Sequence, residues 1–140
     1  MHAGNAILAV LLLAGSGRGA EPAPGYLSPA ALVADIESKR LYVAEHTASQ
    51  VAVVDLAGLN IRQTIALPDR PSGLALSADG TRLYVTAGAA SGSVQIIDTA
   101  KGAIAGAIAA GYSPIAPVLS RDGGTLYVSN RHNNNVSVID

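Results

Sequence analysis

The chain has 140 residues, of which 49% are hydrophobic, 14% charged and 4% aromatic, and its formal net charge is −1. The nine Lys and Arg residues are scattered, with Lys39 and Arg40 as one adjacent pair. They form no basic stripe that would bind nucleic-acid phosphates or anionic lipid, and we expect no nucleic-acid partner. The lack of cysteine excludes disulfides, thiolate metal sites and a covalent haem attachment from this stretch. The abundance of Ala, Val, Ile and Leu, together with 15 Gly and 7 Pro, is typical of short strands joined by turns, and predicts an all-β protein.

The first 20 residues differ in composition from everything after them. Residues 6–14 read AILAVLLLA, an uninterrupted apolar run, and small residues predominate over 15–20. The run is too short to span a membrane, which takes about 20 apolar residues in a helix, and its flank resembles a cleavage region. We therefore predict a signal peptide over 1–20 and a linker over 21–27, with a periplasmic or extracellular location and no membrane span after cleavage. A buried strand or helix at the N-terminus is the alternative interpretation.

From residue 28 onward the sequence repeats itself with a period of about 42 residues. A proline opens each unit and stands 13 residues before the tyrosine of a Leu-Tyr-Val triplet. The prolines are Pro29, Pro71 and Pro114, and the tyrosines are Tyr42, Tyr84 and Tyr127. An aspartate follows 13 or 14 residues after each tyrosine, at Asp55, Asp98 and Asp140. The units cover residues 28–69, 70–112 and 113–140.

Unit two shows the predicted strands most clearly. Residue alternation and turn residues place them at 73–77, 82–86, 93–98 and 103–109. The first two are joined by Ala-Asp-Gly-Thr, in which Asp-Gly supplies the positive φ of a tight hairpin. A four-stranded antiparallel unit that recurs roughly every 40 to 45 residues is typical of a β-propeller blade.

We therefore predict an incomplete β-propeller of four-stranded antiparallel blades over residues 28–140. The chain supplies about 2.7 blades, whereas closed propellers have about four to eight. We expect a fragment of a larger propeller; a chain that assembles from copies is the alternative.

The repeat also resembles a known family. Residues 83–87 (LYVTA) and 126–130 (LYVSN) are each preceded by Ser-x-Asp-Gly and followed by a segment that ends in Ile-Asp. In these features residues 28–140 resemble the YVTN family of β-propeller repeats. Unit one departs most, because residues 35–38 replace the Asp-Gly turn and Ala44-Glu45 replaces the Thr-Asn end. The resemblance implies the fold but no single function, since that family includes binding proteins, surface proteins and domains fused to redox modules.

Candidate binding residues lie in the loops at one end of the predicted blades. In an up-and-down meander, the loop between strands two and three lies at the same end as the connection from one blade to the next. The candidates on these loops are His46, Arg70, Tyr112, Asn130, Arg131 and His132. We expect them to form a loop face that contacts a protein, a glycan or a small ligand. The run 131–135 is also typical of a plain polar hairpin.

The repeated or paired residues have competing interpretations. His46 and His132, on equivalent loops, could bind a metal or haem or act as general bases. We favour solvated surface histidines, because unit two has no matching His and spacing fixes no carboxylate pair nearby. Asp55, Asp98 and Asp140 are interpreted as residues that stabilise turns rather than as an acidic ring. The tyrosines of the triplets are predicted to pack between blades.

No phosphate-binding loop, His-Glu-x-x-His run or nucleophile elbow occurs in the sequence. We predict an exported binding or scaffold protein without enzymatic activity and without a cofactor in this stretch. One alternative is the propeller part of an exported redox enzyme or electron-transfer protein, with haem or copper supplied by other blades or a fused domain. A second alternative is a lactonase-like hydrolase, which fits the fold but fits the predicted export signal less well.

Overall fold

The computed structural model describes residues 27–140. The predicted signal peptide, and the predicted linker except for its last residue, lie outside this range. The described residues form eleven β-strands. Within them there is no helix of the length and apolarity needed to cross a membrane.

The strands form three antiparallel sheets, one for each unit of the repeat. Unit one contains β1 (Pro29–Asp35), β2 (Arg40–Glu45), β3 (Gln50–Asp55) and β4 (Asn60–Ala66). Unit two contains β5 (Pro71–Leu76), β6 (Arg82–Ala87), β7 (Ser93–Asp98) and β8 (Ala103–Ala109). Unit three contains β9 (Pro114–Leu119), β10 (Leu126–Asn130) and β11 (Asn135–Ile139). Within every sheet neighbouring strands are consecutive in the chain, so each unit is the meander that the repeat predicts.

The opening proline occupies the same register position in each unit. It pairs with the last residue of the following strand in all three sheets: Pro29 with Glu45, Pro71 with Ala87, and Pro114 with Asn130. Soon after this pair the register of β1, β5 and β9 is interrupted. Since β1 packs beside β5 and β5 beside β9, these first strands form the inner edge of the array.

Consecutive sheets pack face to face through the tyrosine triplets. Tyr42 is 1% exposed and belongs to one apolar cluster with Leu83 and Val85 of unit two. The prediction that the triplet tyrosines pack between blades is confirmed for Tyr42.

The same contact recurs between units two and three. Tyr84 packs against a cluster that contains Leu126 and Val128 of unit three. The corresponding face of unit three is open, because Tyr127 is 43% exposed and pairs with the exposed Val118 and Val138.

The strand-ending aspartates stabilise turns at the end of the sheets opposite the loop face. Asp55 Oδ1 accepts a hydrogen bond from the Ala57 N–H at 2.8 Å. Asp98 Oδ1 accepts from the N–H groups of Ala100 and Lys101, both at 3.0 Å. The structural interpretation of these two aspartates is confirmed. In unit three, Asp140 Oδ1 instead accepts from the Thr125 hydroxyl, at 3.1 Å.

Candidate functional site

A cleft of about 450 Å³ opens at the loop face, where β5 and β9 begin. It draws residues from all three units, and most of them fall at three positions of the repeat. The residues directly after the second strand are His46, Gly88 and Arg131. The residues directly after the opening proline are Ala30, Ser72 and Ile115, and those directly before it are Arg70 and Ser113. Equivalent backbone positions of successive units therefore converge on one cleft.

The cleft positions differ between units, whereas the framework positions do not. The opening proline, the Leu-Tyr-Val triplet and the closing aspartate recur in every unit. The position after the second strand changes from His to Gly to Arg along the chain. A repeated fold needs a repeated framework, but side chains at its loop ends can vary, and binding residues are commonly carried on loops held by a rigid scaffold.

Main-chain hydrogen bonds hold the loops around the cleft. In each unit the N–H after the second strand donates to the carbonyl of the residue before the opening proline. The bonds run from His46 to Ser28 at 2.9 Å, from Gly88 to Arg70 at 3.1 Å and from Arg131 to Ser113 at 3.1 Å. The Ser113 N–H donates in turn to the Ala89 carbonyl at 2.7 Å, which joins the loops of units two and three. The lining residues therefore stand on a backbone that is fixed by hydrogen bonds.

His46 is half-buried at the wall of the cleft. Its Nδ1 lies 2.8 Å from the carbonyl oxygen of Pro71. A carbonyl oxygen can only accept, so Nδ1 carries the hydrogen and Nε2 of the neutral ring is an acceptor. Within residues 27–140, Nε2 has no hydrogen-bond partner. It can therefore accept a hydrogen bond from a molecule in the cleft.

Two arginines from different units bring positive charge to the cleft. Arg70 and Arg131 are exposed, and neither guanidinium hydrogen-bonds or pairs with another residue of the described range. The ion pairs formed within that range, Arg62–Asp55 and Lys101–Asp98, lie at the opposite end of the sheets. Asp69 also lines the cleft, and its Oδ1 accepts a hydrogen bond from the main-chain N–H of Arg70 at 2.7 Å.

Tyr112 and His132 form an aromatic pair, and each is next in the chain to a lining residue, Ser113 and Arg131 respectively. Their ring centroids are 5.2 Å apart at an interplanar angle of 85°. His132 Nδ1 lies 2.8 Å from Oγ of Ser113, which is itself a lining residue. His46 lines the cleft directly and His132 does not, so the structure separates the two predicted histidines. No group of three or more His, Asp or Glu side chains suited to a metal ion occurs between residues 27 and 140.

Asn130 lies at the loop face, but its side chain is turned into the blade. It is 2% exposed. Its Nδ2 donates to Asn135 Oδ1 at 2.9 Å and to Ser137 Oγ at 2.7 Å, and its Oδ1 accepts from the Gly111 N–H at 3.0 Å. Both N–H groups are thus used inside the protein. Asn130 supports the connection that carries Tyr112, and it does not present its amide to a ligand.

Ser72 is a lining residue that the sequence analysis did not single out. It lies at the register interruption of β5, where Pro71 pairs with Ala87 and Gly73 with Thr86. An extra residue at such an irregularity changes the direction of its side chain. Ser72 Oγ bonds the carbonyl of Pro114, and so links unit two to unit three at the edge of the cleft. One feature of the sequence could have indicated Ser72: the residue that follows the opening proline differs from unit to unit.

Comparison with curated proteins gives only a short match, and no family model matches the chain. The uncharacterized protein YncE of Salmonella typhi and its counterpart in Salmonella typhimurium are each 47% identical over 45 residues. That match covers 32% of this chain and 13% of the length of either relative. The resemblance to the YVTN family therefore stays a prediction.

Solved β-propeller structures superimpose on most of the chain. Hydrazine synthase of Kuenenia stuttgartiensis matches with a TM-score of 0.75 and 24% identity, over 90% of this chain and 36% of that one. A 6-phosphogluconolactonase-like protein of Bacteroides fragilis matches with a TM-score of 0.72 and 21% identity, over 81% and 35%. Another, of Bacteroides uniformis, gives 0.70 and 20%, over 87% and 38%. The predicted all-β propeller fold is confirmed, and the chain spans little more than a third of these structures.

Proposed function

We propose that this chain is part of an exported β-propeller binding protein whose small-molecule ligand occupies the cleft at the loop face. One observation carries the proposal: equivalent positions of three units converge on the cleft, yet their side chains differ from unit to unit. A volume of about 450 Å³ is within the usual size of small-molecule sites. Export rests on the signal peptide predicted over residues 1–20.

Binding is favoured over catalysis because neither the histidine nor the serine that lines the cleft beside β5 has the partners of a catalytic group. His46 Nδ1 is bound to a main-chain carbonyl rather than to an orienting carboxylate. Ser72 Oγ bonds the carbonyl of Pro114. An activated nucleophile requires a base that is itself oriented by a third group, and neither residue has that arrangement.

A ligand-observed NMR screen of neutral sugars, sugar acids and short peptides tests the proposal. The variant Ala89→Trp places a large ring at the cleft, and we expect it to abolish the signal of a cleft ligand. Ala103→Trp, at an exposed position of the outer strand β8, is the matched control and should leave binding intact. A ligand that binds the Ala89→Trp variant as well as the unaltered chain would contradict the proposal.

A hydrolase acting on lactones or esters is the second candidate, favoured by one contact. Ser113 Oγ lies 2.8 Å from His132 Nδ1, and Ser113 has a φ of 50°, a strained backbone of the kind that clusters at functional sites. In unit one, however, the equivalent Ser28 also has a φ of 50°, and its Oγ bonds Thr47 at 2.8 Å without a histidine. The arrangement therefore belongs to the repeat, and we place this candidate second.

Hydrolysis of a chromogenic ester distinguishes the two candidates. If the chain is a hydrolase, it turns over the ester. Ser113→Ala and His132→Gln should then each abolish turnover, and Ser28→Ala should leave it intact. Our primary proposal expects no turnover above that of the Ser113→Ala variant. The redox alternative stays a prediction that concerns a haem or copper site outside this chain.

A further inference from the structure

The charges around the cleft indicate what it binds. Resting on the proposed function, we infer that its ligand carries an oxyanion, the carboxylate or phosphate group of a small molecule, which Arg70 and Arg131 bind. The two side chains come from different units and line the same cleft. A guanidinium presents a planar fork of N–H donors that matches carboxylate and phosphate oxygens.

Both guanidinium groups are available for such a ligand. The main-chain N–H of Arg131 donates to Ser113, and the main-chain carbonyl of Arg70 accepts from Gly88, so their backbones are fixed. Neither side chain has a carboxylate partner within the described residues, whereas Arg62 and Lys101 have theirs at the other end. The backbone at both arginines is thus fixed, while their guanidinium N–H groups have no acceptor within the described residues.

The acidic residues are distributed unequally between the two ends of the sheets. The turns at the far end carry Asp35, Asp55, Asp79, Asp98, Asp122 and Asp140. At the loop end, Glu45 is 0% exposed, with Oε2 bound to Gln50. Asp69 is the exposed acidic residue of this end within residues 27–140. The charged residues that line the cleft are thus two arginines and one carboxylate, Asp69.

The size and pattern of this charge favour a small anion over a polyanion. Two arginines at one cleft could bind a single oxyanion group, while the Lys and Arg residues elsewhere are scattered and extend no basic track away from it. His46 Nε2 and the Ser72 hydroxyl lie at the same cleft. They can contact the uncharged part of the ligand.

Thermal unfolding of the full chain with inorganic phosphate or malonate, against chloride at equal ionic strength, tests the inference. A ligand that binds only the folded state raises the unfolding temperature, and the concentration dependence gives its affinity. We expect at least one of the two anions to bind, and the arm that binds identifies the source as phosphate or carboxylate. Arg70→Gln and Arg131→Gln should each weaken that binding about tenfold or more.

Two further variants test whether the position and the shape of the arginine side chains matter. Arg121→Gln removes an exposed arginine at the far end and should leave binding unchanged. Arg131→Lys keeps the positive charge but lacks the planar, forked N–H donors of a guanidinium. We therefore expect its affinity for the anion to lie between those of the unaltered chain and Arg131→Gln.

The outcomes separate this inference from the proposed function. If neither anion binds, or if the Arg70 and Arg131 variants bind as the unaltered chain does, the inference is wrong. If in that case a neutral ligand binds and Ala89→Trp abolishes it, the proposed binding function still stands. If no ligand of either kind binds, both are wrong.

Discussion

The side-chain oxygen of Asn130 accepts a hydrogen bond from the N–H of Gly111 at 3.0 Å. A Cβ added at residue 111 would lie 2.4 Å from Asn130 Cγ, so this position has room only for glycine. The contact ties the end of β10 to the connection that carries Tyr112 and Ser113. A buried amide thereby positions one wall of the cleft.

Gly111→Ala should lower the free energy of unfolding by about 2 kcal/mol, because the new methyl group overlaps the amide of Asn130 and forces it to move. Chemical denaturation measures the change. Gly106→Ala is the control, since a Cβ there meets nothing within 4 Å, and it should change stability by about 0.5 kcal/mol or less. Equal effects of the two substitutions would show that the contact between residues 111 and 130 does not matter.

Ser72→Ala should destabilise the chain by about 1 kcal/mol, because it removes the hydroxyl that bonds the carbonyl of Pro114 across two units. Urea denaturation gives the change in free energy. Ser91→Ala, in the exposed loop after β6, should have no measurable effect. A Ser72→Ala chain as stable as the Ser91→Ala chain would argue against the link between the units.

Asp79 should make stability depend on pH in the acid range. Hydrogen bonds from the Ser77 hydroxyl, and from the N–H and hydroxyl of Thr81, lower the pKa of Asp79 to about 2 from its usual 3.8. A carboxyl whose pKa is lower in the folded state stabilises the fold above its unfolded pKa, and this contribution is lost as the pH falls through the folded pKa. Asp79→Asn should therefore lower the unfolding temperature at neutral pH.

The difference between Asp79→Asn and the unaltered chain should shrink between about pH 4 and pH 2. Thermal unfolding followed across this range measures it. Glu37→Gln, which removes an exposed carboxylate at the same end, is the control. A difference that stays constant down to pH 2 would contradict the assigned role of Asp79.

His46 should be in the Nδ1–H tautomer when it is neutral, because Nδ1 faces the carbonyl of Pro71. Long-range nitrogen–proton correlation NMR of the imidazole ring distinguishes the two tautomers. His132 serves as the comparison, since its Nδ1 faces the hydroxyl of Ser113, which can donate or accept. A neutral His46 with its proton on Nε2 would show that the bond to Pro71 is absent.

The order of the strands could be predicted because turn residues and alternation recur in every unit. The start of β5 was predicted less accurately. The prediction placed it at residue 73, whereas the strand begins at Pro71. Proline lacks an N–H donor but can still open a strand with its carbonyl. The pairing of Pro71 with Ala87 depends on the neighbouring strand, which residue propensities do not reveal.

The loop face could be predicted from topology, but the direction of its side chains could not. His46, Arg70 and Arg131 line the cleft, whereas Tyr112 and His132 do not. Asn130 stands at the last position of its strand, where the next residue begins the loop, and nothing in its sequence neighbourhood shows that it bonds Gly111.

The residue type of Ser72 gave no indication that its side chain lines the cleft. Its direction depends on the register interruption of β5. Comparing the units position by position would have indicated it.

Amide chemical-shift mapping of the nitrogen-15-labelled chain, titrated with inorganic phosphate and separately with malonate, tests whether an anion binds at the cleft. We expect shift changes confined to the cleft amides of Gly88, Ala89, Ser113 and Arg131. The amides of Gly80 and Gly123 lie in turns at the opposite end and should not move. Changes at Gly80 and Gly123, with the cleft amides unmoved, would contradict binding at the cleft.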